Sequence, residues 1–117
     1  MIYCLRFKPG VVLVPSPGGA MLIAGLVYTA MQIKHDLTVT SGADGEHSGP
    51  DDPHHFGNAF DVRTHDLPDK EYALQSLIVQ LGPLFYAFLE DENTDNEHIH
   101  CQVLKGTTYP PNPTETT

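Results

Sequence analysis

Basic side chains are scarce in this sequence and never clustered. Six Lys and Arg stand against fifteen Asp and Glu, for a formal charge of -9, and Arg6, Lys8, Lys34, Arg63, Lys70 and Lys105 are scattered along the chain. Without a basic stripe nothing is available to neutralise a phosphate backbone, which argues against a nucleic-acid partner. The same acidity weakens attraction to anionic membranes and cell-wall polymers. No run reaches the roughly 18 to 20 apolar residues that span a bilayer. The start, MIYCLRFKPG, lacks an apolar stretch before Pro9, so no signal peptide is read and synthesis in the cytoplasm is expected. The two cysteines, Cys4 and Cys101, are too few for a disulfide scaffold and form no C-x-x-C pair. The helix-borne zinc motif H-E-x-x-H is also missing.

What remains reads as one folded domain. The chain has 117 residues, 40% of them hydrophobic and 18% charged, enough for a modest core and too apolar for wholesale disorder. Val11 to Val14 is a short β-branched run that could be an edge strand or merely extended. Ser16 followed by Pro17 has the form of an N-cap with proline in the first turn, and the apolar spacing from Met21 to Met31 predicts a helix over residues 17 to 34. "LTVTS" at 37 to 41 reads as a strand, and residues 42 to 53 as a long surface loop rich in Gly, Asp, Pro and Ser. A second strand is expected over 58 to 64. Pro68 and Asp69 open a second helix carrying Leu74, Leu77, Ile78 and Leu81 on one stripe, closed by Gly82-Pro83. "LFYAFLE" and "HIHCQVL" flank the turn-forming "DENTDNE" as an antiparallel hairpin, with Ile99, Cys101 and Val103 facing the core and His98, His100 and Gln102 facing away. The domain is expected over 1–105, and the Pro/Thr-rich stretch 106–117 reads as a flexible tail.

Chemistry concentrates in the histidines. There are seven, and His54, His55, His98 and His100 form two tight clusters. A single histidine in a polar loop is usually inert, but imidazole is also the commonest biological metal ligand. A hydrolytic zinc needs three ligands from His, Asp or Glu and one position for water. His54 in a loop, Asp61 on a strand and His100 on the non-core face of another can supply the three. Glu97, three residues ahead of His100, is the candidate general base, provided that the chain bends there, since i and i+3 of a regular strand face opposite sides. By position alone His55 or His98 could replace its neighbour as ligand.

The run His54-x-x-Gly57-x-Ala59-x-Asp61, followed by Glu97 and then His98-x-His100, resembles the zinc D-alanyl-D-alanine carboxypeptidases and L-alanyl-D-glutamate endopeptidases, whose fold is shared with the Hedgehog signalling domain. Their signature is S-x-H-x-x-G-x-A-x-D, then E-x-x-H or E-x-H-x-H. The resemblance covers residues 17 to 105 and extends to the order of helices, strands and loop. It implies an α+β fold, a small antiparallel sheet with two main helices packed on one face. It also implies zinc as cofactor on His54, Asp61 and His100, Glu97 as general base, His98 beside the site, and peptidoglycan stem peptides as substrate, reached at the cell wall after release.

Two positions depart from the family pattern. Members commonly carry S-G-x-R, whose arginine binds substrate or stabilises the developing oxyanion, whereas "SGAD" places Asp44 there. Asp52 replaces the serine two positions ahead of the first ligand. Short phage-type members carry T-S-x-x-D-G-x-H, matched by Thr40, Ser41, Asp44, Gly45 and His47, which makes Ser41, Asp44 and His47 candidate substrate-side groups. Asp44, Glu46 and Asp51 could instead bind calcium or solvate the loop. A metal-stabilised binding module that has lost catalysis is the second expectation.

Overall fold

The structure is a computed structural model that describes residues 2–44 and 52–104. It consists of β1 (Leu5–Phe7), α1 (Pro17–Ile33), β2 (Leu37–Ser41), a 3₁₀ turn (Pro53–Phe56), β3 (Ala59–Arg63), α2 (Lys70–Leu81), β4 (Phe85–Glu90) and β5 (His98–Val103). The strands form one sheet in the order β1-β2-β3-β5-β4. This is the expected α+β architecture, with one correction: β1 pairs parallel to β2, so the sheet is mixed and not wholly antiparallel. Of the two readings of Val11 to Val14 the edge strand does not hold, since the segment lies outside the sheet and the edge is Leu5–Phe7.

Both helices cover one face. Leu22, Leu26 and Ala30 from α1 and Ala73, Leu74 and Leu77 from α2 pack on Val39, Phe60, Val62, Ile99, Cys101 and Val103 of the sheet. Burying each such aliphatic side chain contributes roughly 1.5–3 kcal/mol. Cys101 is fully enclosed, and burial pushes its thiol up to about 12, so it acts as a small apolar residue. Among the described residues no helix is long and apolar enough to cross a membrane.

The opposite face carries the polar residues, and the first turn of α1 fixes how the 52–58 segment meets it. Ser16 caps the helix by accepting the Gly19 N–H at 2.9 Å, while its hydroxyl lies 2.9 Å from Asn58 Oδ1 and 3.2 Å from the Gly57 carbonyl. A side chain at residue 19 would strike that carbonyl. Gly57 itself ends the 3₁₀ turn with φ +75, and a Cβ there would collide with the Val14 carbonyl. The left-handed conformation alone costs a non-glycine residue roughly 1–2 kcal/mol. Gly57→Ala is therefore expected to lower the melting temperature measurably and to weaken any metal held by His54 and Asp61, which flank it; an unchanged melting curve and unchanged metal affinity would contradict this account.

Candidate metal centre

Antiparallel register sets three rows of side chains across the open face. Arg63, His98 and Glu90 form one row, Asp61, His100 and Phe88 the next, and Ala59, Gln102 and Tyr86 the third. Asp61 stands at the meeting point. Its Oδ1 is 3.2 Å from His54 Nε2, 3.1 Å from His100 Nδ1 and 3.6 Å from His98 Nε2. One carboxylate oxygen is thus ringed by three imidazoles from a loop and two positions of β5.

Second partners fix each ring. Asp52 Oδ1 lies 2.7 Å from His54 Nδ1 and also accepts the His54 backbone N–H at 2.9 Å. Gln102 Oε1 lies 2.7 Å from His100 Nε2, and its amide is oriented because its Nε2 donates to the Val103 carbonyl at 3.0 Å. Both ring nitrogens of His54 and of His100 therefore face acceptors. Either each ring carries two protons, or a metal ion replaces the inner proton between the rings and Asp61. Burial pulls both imidazoles down, yet the hydrogen bonds to Asp61, with those from Asp52 and Gln102, leave their affinity for protons raised above the ordinary 6.5. Burial likewise opposes ionisation of Asp61, but its bonds to His100 and His54 hold its carboxyl well below the usual range.

The donor set and its spacing fit zinc. Two imidazoles and a carboxylate are a hydrolytic zinc ligand set, and bonds of 2.0–2.1 Å in a tetrahedron place ligand atoms about 3.3–3.4 Å apart. The observed 3.1 and 3.2 Å agree with those edges, and the ligand atoms of His54, Asp61 and His100 all lie within 4.8 Å of one another. His54 and His100 are buried and Asp61 is half-buried. The outer partners Asp52 and Gln102 complete the arrangement usual for metal-bound histidine. A second group of possible ligands, Asp61, Glu90 and His98, shares Asp61 with the first.

The structure brings together His54, Asp61, His100 and His98, and it moves Glu97 elsewhere. The chain does not bend at Glu97 as the base role requires. Strand alternation continues, so Glu97 falls on the face of Ile99 and Cys101, where it is buried. Its Oε1 accepts from the Thr64 hydroxyl at 2.5 Å, and its Oε2 from Lys70 Nζ at 2.6 Å and the Asn93 N–H at 2.9 Å. The carboxylate beside His98 is that of Glu90, which sequence reasoning missed: Oε1 is 2.7 Å from His98 Nε2, and the side chain is 43% exposed, open to solvent. The hairpin's register was the signal that could have found it, since Glu90 is directly opposite His98.

Ser41 is the cross-strand neighbour of Asp61, with its hydroxyl 3.5 Å from Asp44 Oδ2. Asp44 Oδ1 accepts the Gly42 N–H at 2.8 Å and the Val12 N–H at 3.0 Å, so this carboxylate ties the end of β2 to the 11–14 segment. His47, Glu46, Asp51 and the His55 side chain lie outside the described residues. Tyr86 and Phe88 stack at 5.8 Å, and Phe88 lies 5.2 Å from the His100 ring, forming an aromatic wall beside the group. A separate groove lined by Tyr3, Arg6, Lys34, His35, Asp36 and Asp66 shares no residue with it.

Comparison with protein-family models, curated proteins and solved structures finds no match.

One metal ion per chain is expected by metal analysis after dialysis, and none in Asp61→Ala. Gln102→Leu should weaken zinc binding by about 10- to 100-fold, because His100 loses the acceptor that orients it. Protons compete with metal for His54 and His100, so affinity should begin to fall at a pH above 6.5 and continue falling as the solution is acidified. Titration with a competing chelator at several pH values measures all three effects.

Proposed function

We propose that the protein is a zinc-dependent peptidase acting on the stem peptides of peptidoglycan. The observation that carries the reading is the convergence of His54, His100 and Asp61 on one point, with the Glu90–His98 pair on the open side of Asp61. The motif resemblance supports the substrate class, and the geometry supports a metal site of a kind that hydrolases use.

His54 Nε2, Asp61 Oδ1 and His100 Nδ1 would hold the metal. When bound there, zinc acidifies water and polarises a carbonyl. Glu90 takes the role expected of Glu97, since its carboxylate is the one within reach of a water beside Asp61. His98 Nδ1 is 2.7 Å from the Asn96 carbonyl and Nε2 is 2.7 Å from Glu90 Oε1, so the second contact holds a proton between the two side chains. The pair can accept a proton from water and return one to the leaving amine. Phe88 and Tyr86 shield the His100 side from solvent.

A second reading, a metal-stabilised binding module, is favoured by Asp44, a carboxylate fixed to backbone N–H groups where the resembled family has arginine. Zinc-loaded protein incubated with purified peptidoglycan separates the two: the peptidase releases new amino termini and the module none. Glu90→Gln should lower turnover by about 10²- to 10⁴-fold while keeping one zinc. Glu97→Gln should instead keep turnover and lose thermal stability. That loss should be fullest above the ordinary carboxyl value of 4.5 and fade as pH falls towards about 2, where wild-type Glu97 is also protonated. Were Glu97→Gln folded but inactive and Glu90→Gln active, the assignment of the base would be reversed.

A further inference from the structure

We propose that Arg63 recognises a substrate carboxylate one residue beyond the bond cleaved at the triad, an assignment that deepens the peptidase reading and rests on it. Arg63 occupies the same face of β3 as Asp61, two residues on, and is paired in register with His98. It is the one Lys or Arg on the three strands that build the site. Its side chain makes no hydrogen bond or ion pair with any described residue, whereas Arg6 is held by Asp36 at 2.7 Å and Lys70 by Glu97 at 2.6 Å. The carboxylates in adjoining positions are already engaged, Glu90 by His98 and Asp61 by three imidazoles. Arg63, a half-buried residue, is thus left with its guanidinium donors engaged by no described residue on the face of His54, Asp61 and His100.

Spacing favours a short reach. Residues two apart on a strand are about 6.6 Å apart, and successive Cα atoms of a peptide about 3.8 Å. With a scissile carbonyl over the middle row, a carboxylate one residue further on lies between that row and Arg63. The guanidinium presents a planar fork that matches a carboxylate with two hydrogen bonds. The opposite end of the face, the row of Ala59, Gln102 and Tyr86, offers no positive charge. This asymmetry sets the direction of the substrate, with its acid end at Arg63. The substrate class is a peptide with a free terminal carboxylate.

The test uses zinc-loaded protein and four probes: N-acetyl-alanyl-alanine in its D,D and L,L forms, each as free acid and as C-terminal amide. Calorimetry measures binding and amine release measures hydrolysis. One acid should bind about 10- to 100-fold more tightly than its amide, the range of a charge-assisted hydrogen bond. Arg63→Gln should erase that preference with zinc content and amide binding unchanged, and Arg63→Lys should restore part of it. Equal binding of acid and amide by wild type, binding of neither acid, or a preference that survives in Arg63→Gln overturns the proposal. An Arg63-dependent preference without hydrolysis keeps Arg63 and removes the peptidase reading; hydrolysis without such a preference does the reverse.

Discussion

The open face of this sheet depends on the need to compensate one anion. Asp61 sits half-buried in the central strand β3, and taking a carboxylate out of water is costly unless charge and hydrogen bonds are returned to it. Three imidazoles do this, all aimed at the same oxygen. The nitrogens around it are the neutral lone pairs that bind a cation once their inner protons are gone. Compensation and metal binding are therefore alternative states of one arrangement, and the fold need not rearrange to pass between them.

Strand geometry makes that arrangement exact enough to matter. His98, His100 and Gln102 alternate along β5 and so share a face, while Ile99, Cys101 and Val103 lock the same strand to the helices. A register slip of one residue would send the imidazoles into the core and the aliphatics to solvent, so burial on one face specifies the site on the other. His54 comes from outside the sheet and needs separate positioning. Ser16 at the start of α1, Gly57 and Asp52 provide it through the 3₁₀ turn in which His54 lies. The helix cap and the metal loop are thereby one hydrogen-bonded unit.

Much of this was legible from residues alone, and the failures have identifiable causes. Helical spacing, with Ser16 as cap of the first helix and Pro68-Asp69 opening the second, placed α1 and α2, because those signals are local. Period-two alternation placed His100 opposite Ile99 and Cys101 for the same reason. β1 was invisible because three residues carry no period and its parallel pairing with β2 joins distant segments. Val11 to Val14 could not be decided between edge strand and extended segment because β-branched content expresses preference for a half-buried surface and cannot report whether a partner strand is present. Proximity in sequence drew attention to Glu97, although alternation put it on the wrong face. Glu90 was hidden because its neighbour His98 is reached only through the register of a hairpin whose turn, residues 91 to 97, does not announce its own geometry.

The two glutamates show why side-chain type and spacing do not assign a catalytic role. At Glu97 the backbone N–H of Asn93 does most to favour the charged form, followed by Lys70 and Thr64, and together they hold the carboxyl down near about 2. A carboxylate so stabilised is a poor proton acceptor at neutral pH. Its three bonds instead join the start of α2, the end of β3 and the hairpin turn, which keeps β4 and β5 in register. Glu90 is on the other face with one imidazole as its partner and much of its side chain in solvent. A general base would have to reach a water with its carboxylate, and the Glu90 side chain is exposed enough to do so whereas Glu97 is buried. Glu97 thus serves the site by holding the strands on which Glu90 and His98 meet.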